Sequence, residues 1–120
     1  MTNPVVHWEI GGPDLAALSD FYGKAFGWAI REEEPGYAMV QAVVGGLGGG
    51  LMQARGEMEP YVTIYVQVDD LDVALHTIGE LGGATLVPPT RINDKATFAL
   101  FRDPAGNTVG LLRATGPILD

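Results

Sequence analysis

The 120-residue chain contains no cysteine, and this absence excludes several kinds of chemistry at once. Without thiols there is no disulfide, no thiolate metal site and no cysteine nucleophile. Such a composition fits a reducing compartment, so we expect a cytoplasmic protein. Long apolar runs are missing as well, because no stretch reaches the roughly 18 residues of a membrane span. The N-terminus Met1-Thr2-Asn3-Pro4 also lacks the basic and apolar segments of a signal peptide.

Basic residues are scarce: 7 Lys and Arg stand against 15 Asp and Glu, which gives a net charge of -8. Nucleic-acid binding depends on cations that neutralise phosphates, so neither a nucleic acid nor a membrane is an expected partner. The acidic surplus is interpreted as a solubility feature. A hydrophobic content of 47% and a length of 120 residues predict one globular domain with a real core.

The second half of the chain repeats the first. His7-Trp8-Glu9-Ile10 aligns with Thr63-Ile64-Tyr65-Val66, and at the same offset Asp14-Leu15 aligns with Asp70-Leu71. After a small slip, Gly50-Leu51-Met52-Gln53-Ala54 aligns with Gly110-Leu111-Leu112-Arg113-Ala114. A repeat of this size predicts two equivalent modules, at about residues 4–55 and 60–115, joined by a polar linker at residues 55–60.

Periodicity and turn residues predict β-α-β-β-β in each half. In the first half, a helix is expected to begin at Gly12 or Asp14 and to end at Gly27, with its apolar face formed by Leu15, Leu18, Phe21, Tyr22, Ala25 and Phe26. The predicted strands are Val5–Ile10, Trp28–Glu33, Tyr37–Val44 and Leu51–Ala54.

In the second half, a helix is expected between Asp69-Asp70 and Gly82-Gly83. Pro88-Pro89 is interpreted as a break, residues 91–95 as a polar loop, and residues 103–107 as a structural turn. The predicted strands are Tyr61–Val68, Thr85–Val87, Ala96–Arg102 and Thr108–Ala114.

Several short sequence motifs accompany this order of strands and helices, one in the first half and three in the second. They are Phe26-Gly27-Trp28, Val68-Asp69-Asp70-Leu71, Leu81-Gly82-Gly83 and Phe101-Arg102-Asp103-Pro104-Ala105-Gly106-Asn107. With them the chain resembles the vicinal oxygen chelate superfamily, which includes glyoxalases, bleomycin-binding proteins and extradiol dioxygenases. The resemblance implies an α+β fold in which two tandem βαβββ modules form a curved, cup-shaped, mixed sheet of eight strands with the helices outside.

In metal-dependent members of that superfamily, the resemblance implies one ligand from each of four strands. By position these ligands fall on His7, Gly50, Thr63 and Gly110, and only the histidine is a good donor. An open catalytic zinc site needs about three protein ligands. His76 does not help, because it lies in the second predicted helix. We therefore expect no metal and no other cofactor.

His7 and Glu9 lie two residues apart on a strand and so share a face. A carboxylate beside an imidazole raises the pKa of the imidazole and can orient it as a base, so His7 and Glu9 are the candidate catalytic pair. The alternative is that His7 is an inert, hydrogen-bonded histidine. A patch of mixed polarity is expected to bind a small molecule, or else to face solvent or a partner chain. Its predicted residues are Met39, Met52, Thr63, Tyr65, Gln67, Phe98 and Leu112.

Because the metal ligands are missing, we expect a protein of the bleomycin-binding type that binds a small apolar or aromatic molecule without a metal. The resemblance also implies a homodimer, which is common in this superfamily. The alternatives are a lyase or isomerase that uses His7 as a base, a glyoxalase- or dioxygenase-like enzyme that uses His7 as a metal ligand, and an interaction domain with no ligand of its own. The residues alone do not decide whether the protein is an enzyme, what it binds, or whether modules pair within or between chains.

Overall fold

A computed structural model describes residues 2–54 and 56–115, which form eight strands and two helices. The linker residue Arg55 and residues 116–120 of the predicted tail lie outside the described part. The described residues divide into two compact units: residues 7–54 and 56–63 make up the first unit, and residues 2–6 with 64–115 make up the second. Neither described helix has the length and apolar character of a membrane span.

Each half of the chain has the order β-α-β-β-β, as predicted, with parallel and antiparallel strand pairs. The first half comprises β1 (Val5–Gly12), α1 (Leu15–Phe26), β2 (Ile30–Glu34), β3 (Tyr37–Val40) and β4 (Gly49–Gln53). The second comprises β5 (Tyr61–Gln67), α2 (Leu71–Glu80), β6 (Ala84–Asn93), β7 (Ala96–Arg102) and β8 (Thr108–Ala114). The α+β class and the eight strands are confirmed.

The strands of the two halves are ordered in the same way. In the first half the order is β2-β3-β4-β1, and in the second it is β6-β7-β8-β5. The first and last strands of each half pair in parallel, β1 with β4 and β5 with β8. The remaining neighbours within each half are antiparallel, as short hairpin connections require.

Both helices begin at the predicted aspartates. The Asp14 carboxylate accepts a hydrogen bond from the Ala17 amide at 3.1 Å, and Asp70 accepts one from the Val73 amide at 3.0 Å. Each carboxylate satisfies one of the amides that the first helical turn leaves without a partner. Helix α1 ends at Gly27 in the left-handed conformation, with φ 69°. Glycine adopts this conformation without a steric penalty.

The core of the first unit lies between α1 and its strands. Leu15, Ala38, Val40 and Leu51 are buried there, and Trp8, Leu18, Tyr22 and Trp28 pack against them. The apolar face of α1 is narrower than predicted, because the side chains of Phe21 and Phe26 are 61% and 63% exposed. They lie beside Tyr22 and Trp28 in a surface cluster of aromatic rings.

The second unit has two buried apolar clusters. One contains Val68, Leu71, Ala99 and Leu111, on the side of α2. The other contains Tyr65, Ala96 and Leu112, with Val6, Phe98, Leu100 and Ala114 packed against it. Alternate residues of β7 and β8 enter the two clusters, as the period-two geometry of strands requires.

Several predicted strand boundaries are wrong by two residues or more. Strand β1 ends at Gly12 rather than Ile10, and β4 begins at Gly49 rather than Leu51. Strand β3 ends at Val40 rather than Val44, and β2 begins at Ile30 rather than Trp28. Strand β6 continues through Pro88-Pro89 into residues 91–93, where a break and a loop were expected. It is an edge strand paired only with β7, and the register shifts on both sides of the prolines. Proline is tolerated in edge strands and bulges because no ladder hydrogen bond needs its missing N–H.

The turn before β8 is structural, as predicted. The Asp103 carboxylate accepts hydrogen bonds from the amides of Ala105 and Asn107 and from the Asn107 side chain, each at 2.9 Å. These bonds, with the side chain of Asn107 contributing most, lower the pKa of the exposed Asp103 carboxyl. Because the carboxylate is held by the turn in its charged form, an acid catalyst is not expected at this position.

Candidate functional site

One face of the first unit carries the polar groups that the sequence singled out. Along β1 the side chains alternate, so that Trp8 and Ile10 pack toward α1 while His7 and Glu9 lie on the opposite face. Strand pairing brings the matching residues of β3 and β4 to the same face. We call it the His7 face, and it comprises His7, Glu9, Gly11, Tyr37, Met39, Gly50, Met52, Tyr61 and Thr63.

His7 is hydrogen-bonded to a tyrosine. Its Nε2 atom lies 2.8 Å from the Tyr37 hydroxyl, and the two rings are stacked with centroids 6.5 Å apart. Only 7% of the His7 surface is exposed, and this burial lowers the pKa of the imidazole from 6.5 to about 4. The expected rise in pKa from Glu9 is therefore wrong, because desolvation disfavours the charged ring. His7 is neutral at physiological pH.

Glu9 is paired with a second tyrosine. The Tyr61 hydroxyl donates to Oε2 of Glu9 at 2.6 Å, and the sulfur of Met52 lies 3.1 Å from the same hydroxyl. Glu9 is 5% exposed, so this carboxylate has exchanged water for protein contacts. A short hydrogen bond from a hydroxyl to a carboxylate is stronger than one between neutral groups and offsets part of the desolvation cost.

The two remaining predicted ligand contacts of this unit, Met39 and Thr63, are buried on the same face. They are 6% exposed each. Thr63 follows Tyr61 by two residues on β5 and therefore points to the same side as the tyrosine. Among the described side chains, no buried nitrogen or oxygen lacks a hydrogen-bond partner. The His7 face is thus a satisfied polar network set among methionines.

Glycines on the His7 face lie beneath aromatic rings. A Cβ atom at position 50 would lie 2.0 Å from the Tyr37 hydroxyl, and one at position 11 would lie 2.2 Å from the Tyr61 ring. Both distances are far below van der Waals contact. Glycine is required at Gly11 and Gly50 so that the tyrosines can cross the strands and reach the residues they bond.

The other four predicted ligand contacts lie in the second unit. Tyr65 and Leu112 are 8% and 3% exposed and form part of an apolar cluster, and Phe98 packs against it. Gln67 is half-buried, and its backbone carbonyl accepts a hydrogen bond from the Asn3 side chain at 3.0 Å. Their contact with a ligand stays a prediction.

The residues at the implied metal positions do not fit a metal ion. Gly50 and Gly110 have no donor side chains, and a ring fills the space above each of them. The Tyr37 ring lies above Gly50, and the Tyr65 ring lies above Gly110, where a Cβ atom would be 2.3 Å from it. Within residues 2–54 and 56–115, no three His, Asp or Glu side chains are grouped as a metal site needs. A carboxylate cannot be placed at either glycine without moving a tyrosine.

The sequence reasoning missed Tyr37 and Tyr61 as site residues. A signal was present, because Tyr37 lies two residues before Met39 and Tyr61 two residues before Thr63, and both partners were assigned to the face. The period of two along a strand extends the same face to the tyrosines. That their hydroxyls meet His7 and Glu9 depends on the pairing of the strands, which the sequence pattern does not supply.

A βαβββ order in both halves, with a polar face opposite the helix of the first, defines the class of protein: a vicinal oxygen chelate fold. Residues 5–111 match the family model of the Glyoxalase/Bleomycin resistance protein/Dioxygenase superfamily. The chain belongs to this superfamily, as its motifs predicted.

Two curated relatives are similar to the chain at the level of sequence. The putative glyoxylase CFP32 of Mycobacterium tuberculosis is 29% identical in an alignment 110 positions long, which covers 84% of this chain and 42% of the relative. The anthracycline biosynthesis protein DnrV of Streptomyces peucetius is 28% identical in an alignment 126 positions long, which covers 88% of this chain and 45% of the relative. The chain therefore spans less than half of the curated relatives it matches.

Solved structures share the fold. A hypothetical protein from Bacillus halodurans superposes with a TM-score of 0.72 at 14% identity, over 100% of both chains. A variant of Streptomyces coelicolor methylmalonyl-CoA epimerase, in complex with 2-nitronate-propionyl-CoA, superposes with a TM-score of 0.66 at 20% identity, over 93% of this chain and 97% of the epimerase. At these identities the likeness concerns the fold alone.

Proposed function

We propose that the chain binds a small apolar or aromatic molecule at the His7 face and does so without a metal ion. The observation that carries the proposal is the pair of tyrosine-capped side chains, His7 with Tyr37 and Glu9 with Tyr61, buried on one strand face. Small-molecule sites typically combine apolar walls with a few fixed polar groups. The His7 face has this composition.

The burial of His7 and Glu9 supports a functional role. Keeping an imidazole and a carboxylate out of water costs free energy, and an apolar pair at the same positions would avoid that cost. Groups with a strongly shifted pKa, such as His7, are concentrated at binding and catalytic sites. We infer that the two groups are retained for what they recognise rather than for stability.

The composition of the face favours an aromatic ligand. Tyr37 and Tyr61 offer ring surfaces together with hydroxyls, and the flexible thioethers of Met39 and Met52 adapt to flat aromatic shapes. One relative is named for anthracycline biosynthesis, and anthracyclines are planar polycyclic aromatic compounds. A planar aromatic compound is therefore the first probe.

Thermal unfolding in the presence of ligand tests this proposal. We expect an anthracycline, or its anthraquinone core, to raise the melting temperature in a concentration-dependent way. Binding to the native state alone stabilises it by about 2.7 kcal/mol at a ligand concentration 100 times Kd. The variant Tyr61→Phe, which keeps the ring but removes the hydroxyl at Glu9, is expected to weaken binding at least tenfold, since a hydrogen bond to a charged group contributes roughly 1.5–3 kcal/mol.

The matched control is His76→Gln, which changes an exposed histidine on α2. It is expected to bind the probe as the parent protein does. A panel of planar aromatics that leaves the melting temperature of the parent unchanged would remove the proposal.

A proton-transfer enzyme is the second candidate, because one relative is named a putative glyoxylase and His7 is a neutral imidazole beside a phenol. A neutral imidazole accepts protons, but a pKa near 4 makes His7 a weaker base than an ordinary histidine. Turnover of small α-carbonyl compounds, assayed with and without His7→Ala, separates the candidates. Activity that His7→Ala abolishes supports the enzyme, and activity that survives it excludes His7 as the base.

We also propose that the chain acts as a homodimer. The relatives it matches are more than twice as long as the matched region, so a second copy of the chain would supply a comparable amount of protein. Sedimentation equilibrium measures the mass directly. A monomer at micromolar concentration would contradict this part of the proposal and leave ligand binding untouched.

A further inference from the structure

We propose that Tyr37 takes the place of a metal-ligand side chain on the His7 face: its hydroxyl donates to the lone pair of His7 Nε2 and, together with the glycine at position 50, keeps divalent transition metals off His7. The inference rests on the metal-free part of the proposed function and gives it a structural cause. It concerns only the first unit.

The steric argument starts at Gly50. A Cβ atom at this position would meet the Tyr37 hydroxyl at 2.0 Å and the adjoining ring carbon at 2.3 Å. Any side chain at position 50, including a carboxylate, therefore displaces the phenol. The space that a donor from β4 would enter is already filled by a side chain from β3.

The same hydroxyl also reaches the imidazole. It lies 2.8 Å from His7 Nε2, a normal distance for a hydrogen bond. Position 50 and His7 Nε2 are thus bridged by one oxygen atom, which lies within contact of both. This oxygen therefore occupies the space into which a side chain at position 50 would have to extend from β4 toward the histidine on β1.

A histidine binds a metal ion only through an unprotonated ring nitrogen. In the proposed arrangement the Tyr37 hydroxyl donates a hydrogen bond to that nitrogen, so a metal ion at Nε2 must first break the hydrogen bond and then displace the partly buried phenol. With glycine at position 50, β4 offers no second ligand in return. The hydrogen bond between Tyr37 and His7 Nε2 is therefore favoured over metal binding at the same nitrogen.

One part of this arrangement, a tyrosine ring over a glycine, also occurs in the second unit. The ring of Tyr65 crosses Gly110, where a Cβ atom would lie 2.3 Å from Cδ2, and these two residues are direct partners in the β5–β8 pair. Gly110 is the position equivalent to Gly50 in the sequence repeat. In each unit, a tyrosine ring thus covers the glycine that stands at an implied ligand position.

Zinc titration of designed variants tests the inference. Calorimetry with Zn²⁺ alone is expected to show no binding that depends on His7 in the parent or in Tyr37→Ala. The double variant Tyr37→Ala with Gly50→Glu removes the phenol and adds a carboxylate, and it should bind Zn²⁺ at least tenfold more tightly than Tyr37→Ala. Adding His7→Ala to the double variant should abolish that gain.

Nitrogen-15 NMR of the histidine ring provides a readout that needs no metal. In the parent, Nε2 of His7 is expected to be unprotonated and Nδ1 protonated. Both Tyr37→Phe and Gly50→Ala should change these shifts, the first by removing the hydroxyl and the second by displacing it. Gly79→Ala is the matched control, because a Cβ there meets nothing within 4 Å, and it should leave the His7 signals unchanged.

Three results would overturn the inference. They are His7-dependent zinc binding by the parent, a protonated Nε2 in the parent, and a folded double variant that binds zinc no better than Tyr37→Ala. If the double variant does not fold, the NMR comparison of the parent, Tyr37→Phe and Gly50→Ala decides the question. Failure of ligand binding would appear in the thermal assay alone, so the two proposals fail separately.

Discussion

Acidification is expected to destabilise the protein through His7. Burial lowers the pKa of this imidazole from 6.5, the ordinary value that we also take for the unfolded chain, to about 4 in the folded protein. Between these two pH values the unfolded state binds more protons than the folded state. The free energy of unfolding therefore falls as the pH falls, and the stability present above pH 6.5 is lost progressively toward pH 4.

The size of this effect follows from the two pKa values. Between about pH 7 and pH 5, proton binding to the unfolded chain at this one site lowers the free energy of unfolding by about 2 kcal/mol. That is a large part of the roughly 5–15 kcal/mol by which small domains are stable. His7 is only 7% exposed, so solvent screening reduces this figure little.

Urea unfolding measured across this pH range, on the parent and on His7→Gln, isolates the contribution. Carboxylates titrate in both proteins, so the difference between the two curves reports His7. The difference should change by about 2 kcal/mol between pH 7 and pH 5. His76→Gln is the control, because the His76 side chain is 77% exposed, and it should follow the parent. Parallel curves for the parent and His7→Gln would refute the argument that His7 is buried in its neutral form.

Three further predictions concern the fold, and equilibrium unfolding in urea checks them all. Leu51→Ala should lower the free energy of unfolding by about 2–5 kcal/mol, because Leu51 is fully buried and the change leaves a cavity; a loss below about 1 kcal/mol would contradict its place in the core. Asp70→Ala should cost about 1 kcal/mol through loss of the α2 N-cap, and an unchanged stability would mean that another group caps the helix. Gly27→Ala should lower the free energy of unfolding by about 1 kcal/mol, because Gly27 has φ 69°. Gly79→Ala should raise it by up to about 1 kcal/mol, because Gly79 lies inside α2 and an added Cβ there meets nothing within 4 Å. The opposite order of stabilities would refute the assigned conformations.

The hydrogen-bond partners of His7 and Glu9 are the part of the site that the sequence predicted least well. A carboxylate two residues from a histidine suggested that Glu9 would raise the pKa of His7. In the structure each group is paired with a different tyrosine, Tyr37 or Tyr61, and desolvation dominates the pKa of His7. The partner of a strand side chain comes from a neighbouring strand, and its distance along the sequence, 30 residues for Tyr37 and 52 for Tyr61, has no periodic signature.

The position of β6 at the edge of the sheet explains why the break predicted at Pro88-Pro89 is wrong. Pro88-Pro89 reads locally as a break, because proline removes a hydrogen-bond donor. Strand β6 has a neighbour on only one side, and its register shifts around the prolines, so the missing donors are not needed. Whether a strand lies at an edge is decided by the whole sheet and is not visible in the local residues.

The sequence by itself determined the repeat, the order of elements, the aspartates and the glycine that cap the helices, and the face on which His7 and Glu9 lie. These features follow from periodicity and from backbone preferences that act within a few residues. Tertiary structure alone decided that Tyr37 bonds His7, that Tyr61 bonds Glu9, and that Gly50 lies beneath a ring. Such contacts join strands that are distant in the chain, and they depend on register, burial and close packing, which only the folded molecule fixes.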